Sequence, residues 1–368
     1  IYSKTLTYNF YQIDKSNDSK TVVIYNKATS GTITAPAVDT VSGLTIVGWG
    51  DSTTATKASL SSGQSSITIS ESKSYYAVYS YTVTVTYNGN GATGGSTANS
   101  TGTAYRTADP SATNGYNVTN ASITLRANGF TRSGYTFSKW AEGSASGSQY
   151  SAGTTRGLAS NVTEYAIWTD ATKPDIVRAT YVINNARTGY DVYVYATDNE
   201  AVNRVQFPTW TVKNGQNDII SGWQTNSKAS GTLGSYTVDG KSYNYKYTVL
   251  VSDHNNEYGT YSTHIYVYDN AGNYRNYSFN DIRFTWNITY DLAGGTKGAT
   301  NPASYQSFET DKTYTLSNPT RTGYTFAGWK SNVAGITVSD ETITVKAETH
   351  QDVTLTAQWT PVKKTITL

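Results

Sequence analysis

Three times along this chain a glycine is followed six residues later by a tryptophan, in Gly43-Leu44-Thr45-Ile46-Val47-Gly48-Trp49, Gly134-Tyr135-Thr136-Phe137-Ser138-Lys139-Trp140 and Gly323-Tyr324-Thr325-Phe326-Ala327-Gly328-Trp329. Each copy then reaches a short strand-like segment ending in an aromatic residue: Ala77-Val78-Tyr79, Ala166-Ile167-Trp168 and Ala357-Gln358-Trp359, which lie 30, 28 and 30 residues beyond the tryptophan. Self-similarity at a fixed internal spacing restricts the chain to a series of like modules, each building the same small core.

An opening strand recurs too. Leu6-Thr7-Tyr8-Asn9 corresponds to Val85-Thr86-Tyr87-Asn88 and Ile288-Thr289-Tyr290-Asp291, and each alternates apolar and polar residues as a strand with one buried face does. From that tyrosine to the tryptophan the distances are 41, 53 and 39 residues. The second copy therefore carries an insertion of about a dozen residues, placed within Gly94 to Asn128, where a loop is expected.

The composition suits strands. The 368 residues include 32 Tyr, 8 Trp and 8 Phe, and aromatic and branched side chains pack well on pleated surfaces, while glycines, asparagines and serines supply turns. Charged residues are 15% with a net charge of +2, and no clustered basic face points to nucleic acid. No apolar run is long enough for a membrane-spanning helix. With no Cys there are no disulfides, thiolate metal sites or thiol nucleophiles. Ile1 at the start and the absence of Met read as a processed product or fragment, and the low charge with abundant Thr, Ser, Asn, Gly and Tyr points to an exported bacterial surface protein.

The expected domains are residues 1–80, a divergent repeat; 81–169, a repeat with an insertion; 170–284, a segment of different character; and 285–368, a further repeat. The third domain opens on the linker-like Asp170-Ala171-Thr172-Lys173-Pro174. Alternation returns in Asp191-Val192-Tyr193-Val194-Tyr195-Ala196, from Tyr243 to Val251 and in His264-Ile265-Tyr266-Val267-Tyr268, with a turn cluster after each. Short strands at this spacing predict a β-sandwich of about 110 residues.

The stretch Pro319-Thr320-Arg321-Thr322-Gly323-Tyr324-Thr325-Phe326-Ala327-Gly328-Trp329, with Gly294-Gly295 before it and Leu355-Thr356-Ala357-Gln358-Trp359 after it, resembles the Listeria–Bacteroides (internalin B-type) repeat. The second copy resembles it at Phe130-Thr131-Arg132-Ser133-Gly134-Tyr135-Thr136-Phe137, and the first less closely, with Leu44 and Ile46 for the aromatic pair and Tyr79 for the closing Trp. That resemblance implies small β-grasp-like modules in tandem on secreted and wall-attached bacterial proteins, with no catalytic residues. The central segment resembles the streptococcal Bsp-like repeat, through Val205 to Trp210, Asn214 to Ile219, Ser252 to Tyr261 and His264 to Asp269. This resemblance implies an immunoglobulin-type accessory domain of secreted Gram-positive proteins, with an enlarged loop at Ser221 to Tyr243.

Several residues are candidates for a site. An exposed Trp49, Trp140 or Trp329 would form a ligand platform, but recurrence at one strand position is what a core requires. Asp253, His254, Glu257 and His264 are the nearest approach to a metal or acid–base constellation. Asp198, Asn199, Asp269 and Asn270 offer oxygen ligands of the kind Ca²⁺ takes. For both sets turn chemistry is the stronger reading. In the central domain Trp210, Trp223, Tyr236, Tyr243, Tyr245 and Tyr247 are dense enough for a ligand-contacting face.

Taken together these readings predict a mostly β chain, with tandem small β-grasp-like repeats and one immunoglobulin-like sandwich in an elongated multi-domain array. The expected function is a non-enzymatic stalk or adhesion region of a secreted or wall-attached surface protein, extracellular and monomeric as a fragment. Expected partners are a host or bacterial surface protein or glycan, with no nucleic acid, no membrane insertion, no cofactor and no catalytic or metal site. The alternative is a carbohydrate- or peptidoglycan-binding accessory region of a cell-wall hydrolase or glycan-degrading enzyme.

Overall fold

The computed structural model describes residues 2–339, 341–347 and 349–364. It is built of strands, with two short 3-10 turns at Ser227–Ala229 and Val251–Asp253 among the described residues. No described helix is long and apolar enough to cross a membrane. The chain divides into two compact units, residues 1–170 and 171–368.

The first unit is organised on one long strand, Lys73–Asn88, which runs unbroken through residues 80 and 81. Its first half lies parallel to Ser3–Tyr11, with Tyr8 opposite Lys73, and antiparallel to Thr45–Gly50, with Trp49 opposite Ala77. Its second half lies parallel to Val162–Asp170, with Val85 opposite Val162. One strand thus closes the first repeat and opens the second. The insertion of the second repeat is not a loop. Ser100–Ala108 pairs along residues 78–85 and then with Tyr116–Thr119, because Ser100, Ala104 and Ala108 are small enough to lie buried against the strand they cover.

The three repeats share a strand plan. The glycine–tryptophan strand runs antiparallel to the closing strand, and in every copy one residue is bulged: between Ile46 and Gly48, between Phe137 and Lys139, and between Phe326 and Gly328. A bulge adds one residue and bends the strand, and here the next residue but one is the buried tryptophan. A second, smaller antiparallel sheet accompanies each repeat, such as Gly31–Ile33 with Ile67–Ile69, and Ala121–Thr124 with Thr155–Leu158. The cores follow from the alternation: Leu6, Phe10, Trp49, Ile69 and Tyr79 in the first repeat; Val83, Val85, Ile123, Leu125 and Trp140 in the second. The tryptophans are core residues, with Trp49 and Trp140 fully buried and Trp329 5% exposed.

In the second unit two four-stranded antiparallel sheets face each other. One is ordered Asp175–Ile183, Gly189–Thr197, Lys241–Leu250, Thr232–Val238; the other centres on Tyr261–Asp269, flanked by Tyr274–Ile282 on one edge and by Val202–Gln206 and Thr209–Thr211 on the other. Phe207 stacks on Tyr247 at 4.9 Å between them, and the Tyr190 hydroxyl meets that of Thr263 at 2.6 Å, so the polar tip of this buried tyrosine is satisfied. The core continues through Tyr261, Phe284 and Trp286 into the third repeat without interruption.

Candidate binding face

Along Tyr261–Asp269 the residues Tyr261, Thr263, Ile265, Val267 and Asp269 are buried, so His264, Tyr266 and Tyr268 stand on the outer face of the sheet. Register decides what joins them. Trp210 lies opposite Ser262, Gln206 opposite Tyr266 and Arg204 opposite Tyr268 on one side, with Tyr274 opposite Tyr268 on the other. The rings make a contiguous stripe: Trp210 to His264 at 4.7 Å, His264 to Tyr266 at 6.5 Å, Tyr266 to Tyr268 at 6.4 Å and Tyr268 to Tyr274 at 5.5 Å. Trp223 arrives from the loop after Thr211 and packs on Tyr266 at 4.7 Å.

The stripe has one cationic end. The Arg204 guanidinium lies 4.0 Å from the Tyr268 ring centre and donates to the Gln224 carbonyl and the Asn203 amide oxygen. Burial raises the Tyr268 phenol above its ordinary pKa, and the Arg204 charge opposes that rise. At the other end His264 Nε2 is 3.2 Å from Asn280 Oδ1. Half-buried aromatic rings edged with amides and one guanidinium suit stacking and hydrogen bonding to a partner. No pair of facing carboxylates stands among these residues, so the face is equipped to bind.

Of the six residues read from the sequence as ligand contacts, Trp210 and Trp223 lie on this stripe. Tyr236 belongs to the other sheet and packs against Tyr193 at 5.9 Å. Tyr245 and Tyr247 point into the core, and Tyr243 is 5% exposed, covered by Tyr193 and Arg178. These three are closed to a ligand, because their strand faces the second sheet and its alternate residues must fill the interior. His264, Tyr266 and Tyr268 were visible as an alternating strand, but its exposed side was not.

The carboxylate and histidine candidates serve structure. His254 Nδ1 meets Asp218 Oδ2 at 2.9 Å with both side chains almost fully buried. Asp218 also accepts the Thr211 N–H, the Thr211 hydroxyl donates to Glu257, and Asn214 donates to the second Glu257 oxygen at 2.9 Å. The result is a clasp tying the loop of residues 213–221 to the turn of residues 251–258, and Asp218 had no sequence signal of its own. His264 stacks on Trp210 away from this clasp, and Asp253 is exposed in its turn. Asp198 accepts from the N–H groups of Glu200 and Ala201, Asp269 from Asn273, and Asn270 from Asn203, as turn residues do.

Residues 179–280 match the GBS Bsp-like repeat, and residues 83–167 and 286–358 match the Listeria-Bacteroides repeat domain. No curated protein matches the chain. The first repeat lies outside the matched segments, yet it carries the same parallel pair, the same antiparallel pair and the same bulge as the other two.

Proposed function

From a chain that carries two Listeria-Bacteroides repeats flanking one GBS Bsp-like repeat, families typical of bacterial surface proteins, we propose a non-enzymatic adhesion or stalk region of a secreted or wall-attached bacterial protein, acting outside the cell. The repeats supply small, closed cores, and the central sandwich supplies the contact surface. The observation that carries this reading is the outer aromatic stripe of Trp210, Trp223, His264, Tyr266, Tyr268 and Tyr274. Partners fitting such a face are a host or bacterial surface protein or a glycan.

A second reading, a carbohydrate- or peptidoglycan-binding accessory region beside a wall hydrolase or glycan-degrading enzyme, is favoured by the low charge of the stripe, since ring faces and amides suit sugars. Binding of the full chain to glycan arrays, insoluble peptidoglycan and host surface proteins, compared with a Trp210→Ala/Tyr266→Ala double variant, tests both. Binding to protein that the double variant loses supports adhesion, and binding to glycan or peptidoglycan that it loses supports the second reading. Equal binding by both chains, or none at millimolar ligand, sinks the assignment of the stripe.

A further inference from the structure

Each repeat buries one tryptophan at the same strand position, and a buried indole N–H ordinarily has an acceptor. In the first repeat Trp49 Nε1 donates to the Pro36 carbonyl at 3.0 Å, and in the second Trp140 Nε1 donates to the Arg126 carbonyl at 2.9 Å. Each acceptor directly follows a buried apolar residue, Ala35 or Leu125. The corresponding residue of the third repeat is Ser317, after the buried Leu316. There the Asn301 side chain intervenes: its amide donates to the Ser317 carbonyl at 3.1 Å, and its oxygen accepts the Ser317 N–H at 2.6 Å. Trp329 Nε1 is left buried with no partner in the protein.

The orphaned indole lines a cavity of about 310 Å³, which it shares with Tyr290, Leu292, Asn301, Pro319 and Lys297. That size is at the lower end for ligand sites, enough for one compact group. Its walls are a tyrosine ring, a leucine and a proline. The groups available to a ligand include two donors, the indole N–H and the Lys297 ammonium, while the nearby Ser317 carbonyl is already engaged by Asn301. A donor-lined apolar cavity selects an acceptor, and a cation at its wall selects a charged one.

We propose that the third repeat is a ligand site for a carboxylate carried on a compact apolar or acylated group, whose oxygen takes the Trp329 N–H while Lys297 balances the charge. Two sources present that chemistry: the terminal carboxylate of a peptide and the carboxylate of an acidic sugar. The site is separate from the aromatic stripe and does not depend on its function.

The test is a titration of the full chain, labelled with ¹⁵N at tryptophan, with N-acetylalanine, glucuronic acid and the uncharged N-acetylalanine amide. The expected result is a saturable shift of the Trp329 indole signal at millimolar N-acetylalanine or glucuronic acid, with Trp49 and Trp140 unmoved. Whichever acid binds names the source. Lys297→Ala should weaken binding about tenfold or more, as loss of a hydrogen bond to a charged group does. Ala303→Phe, which fills the cavity from its rim without touching the indole, should abolish it. Trp329→Phe assigns the signal; if that variant does not fold, the through-space contact of Trp329 with Tyr290 at 5.4 Å assigns it instead. No shift with either acid, equal binding of the amide, or binding unaffected by Ala303→Phe overturns the proposal.

Discussion

His254 and Asp218, 36 residues apart in sequence, form a 2.9 Å hydrogen-bonded pair in the interior of the second unit, with 2% and 1% of their side chains exposed. Removing one member of a buried charged pair leaves the other desolvated, at a cost of about 3–5 kcal/mol. His254→Ala is expected to lower the stability of residues 171–368 by that order, while residues 1–170 keep theirs. Hydrogen exchange of the Val267 and Val85 amides in the same sample separates the two units, and equal loss in both would contradict the clasp.

The bulge that precedes each tryptophan makes unequal demands on its glycine. Gly48 has φ of +135°, and a Cβ there would meet the Leu60 carbonyl oxygen at 2.6 Å; Gly328 has φ of +112° and open space around it. Both substitutions strain the backbone, but Gly48→Ala adds a clash with main chain that cannot rotate away. It should therefore cost about 1–3 kcal/mol more than Gly328→Ala, measured by urea unfolding of the full-length variants.

The three tryptophans predict an ordering. Trp140→Phe removes packing and strands the Arg126 carbonyl, whereas Trp329→Phe removes packing and an indole that has no protein acceptor. The first is expected to be the more destabilising by about 1–3 kcal/mol, the cost of leaving a buried acceptor unsatisfied. A larger loss at Trp329 would mean that its indole is not orphaned in solution.

Glu164 is fully buried, bonded through one oxygen to Arg156 at 2.5 Å, while its second oxygen is buried without a partner. Burial raises its pKa, and the Arg156 charge offsets that only in part. A carboxyl group whose folded pKa is raised stabilises the fold while protonated. That contribution is fully present below the ordinary carboxyl range and is lost as pH rises through the folded value. The stability of Glu164→Gln relative to the parent chain should therefore grow between about pH 4 and pH 7, read from urea unfolding of the first unit. A difference that shrinks over this interval would show that the ion pair prevails over burial.

The stripe can be separated from the fold it sits on. Tyr274 is 47% exposed and borders Tyr266 and Tyr268. Tyr274→Ala should change stability by no more than about 0.5 kcal/mol, while a partner that stacks on the stripe loses affinity. Unchanged affinity for a partner whose binding needs Trp210 would confine the contact to the Trp210 end.

What could be read along the chain was whatever depends on neighbours in sequence. Alternation gave the strands of Gly189–Thr197, Lys241–Leu250 and Tyr261–Asp269, and the recurring Gly43, Gly134 and Gly323 counted the repeats, because the period of two and the turn preference of glycine are local properties. The same alternation is silent about which side is inside. Tyr245 and Tyr247 looked as available as Tyr266 and Tyr268, and only the pairing of sheets buried the first two and exposed the others. Nor did spacing show that Lys73–Asn88 serves two repeats, that Asp218 reaches His254, or that Asn301 takes the carbonyl Trp329 would have used. Each of these is a competition for a partner across the fold, settled by register and distance between segments that the chain order keeps apart.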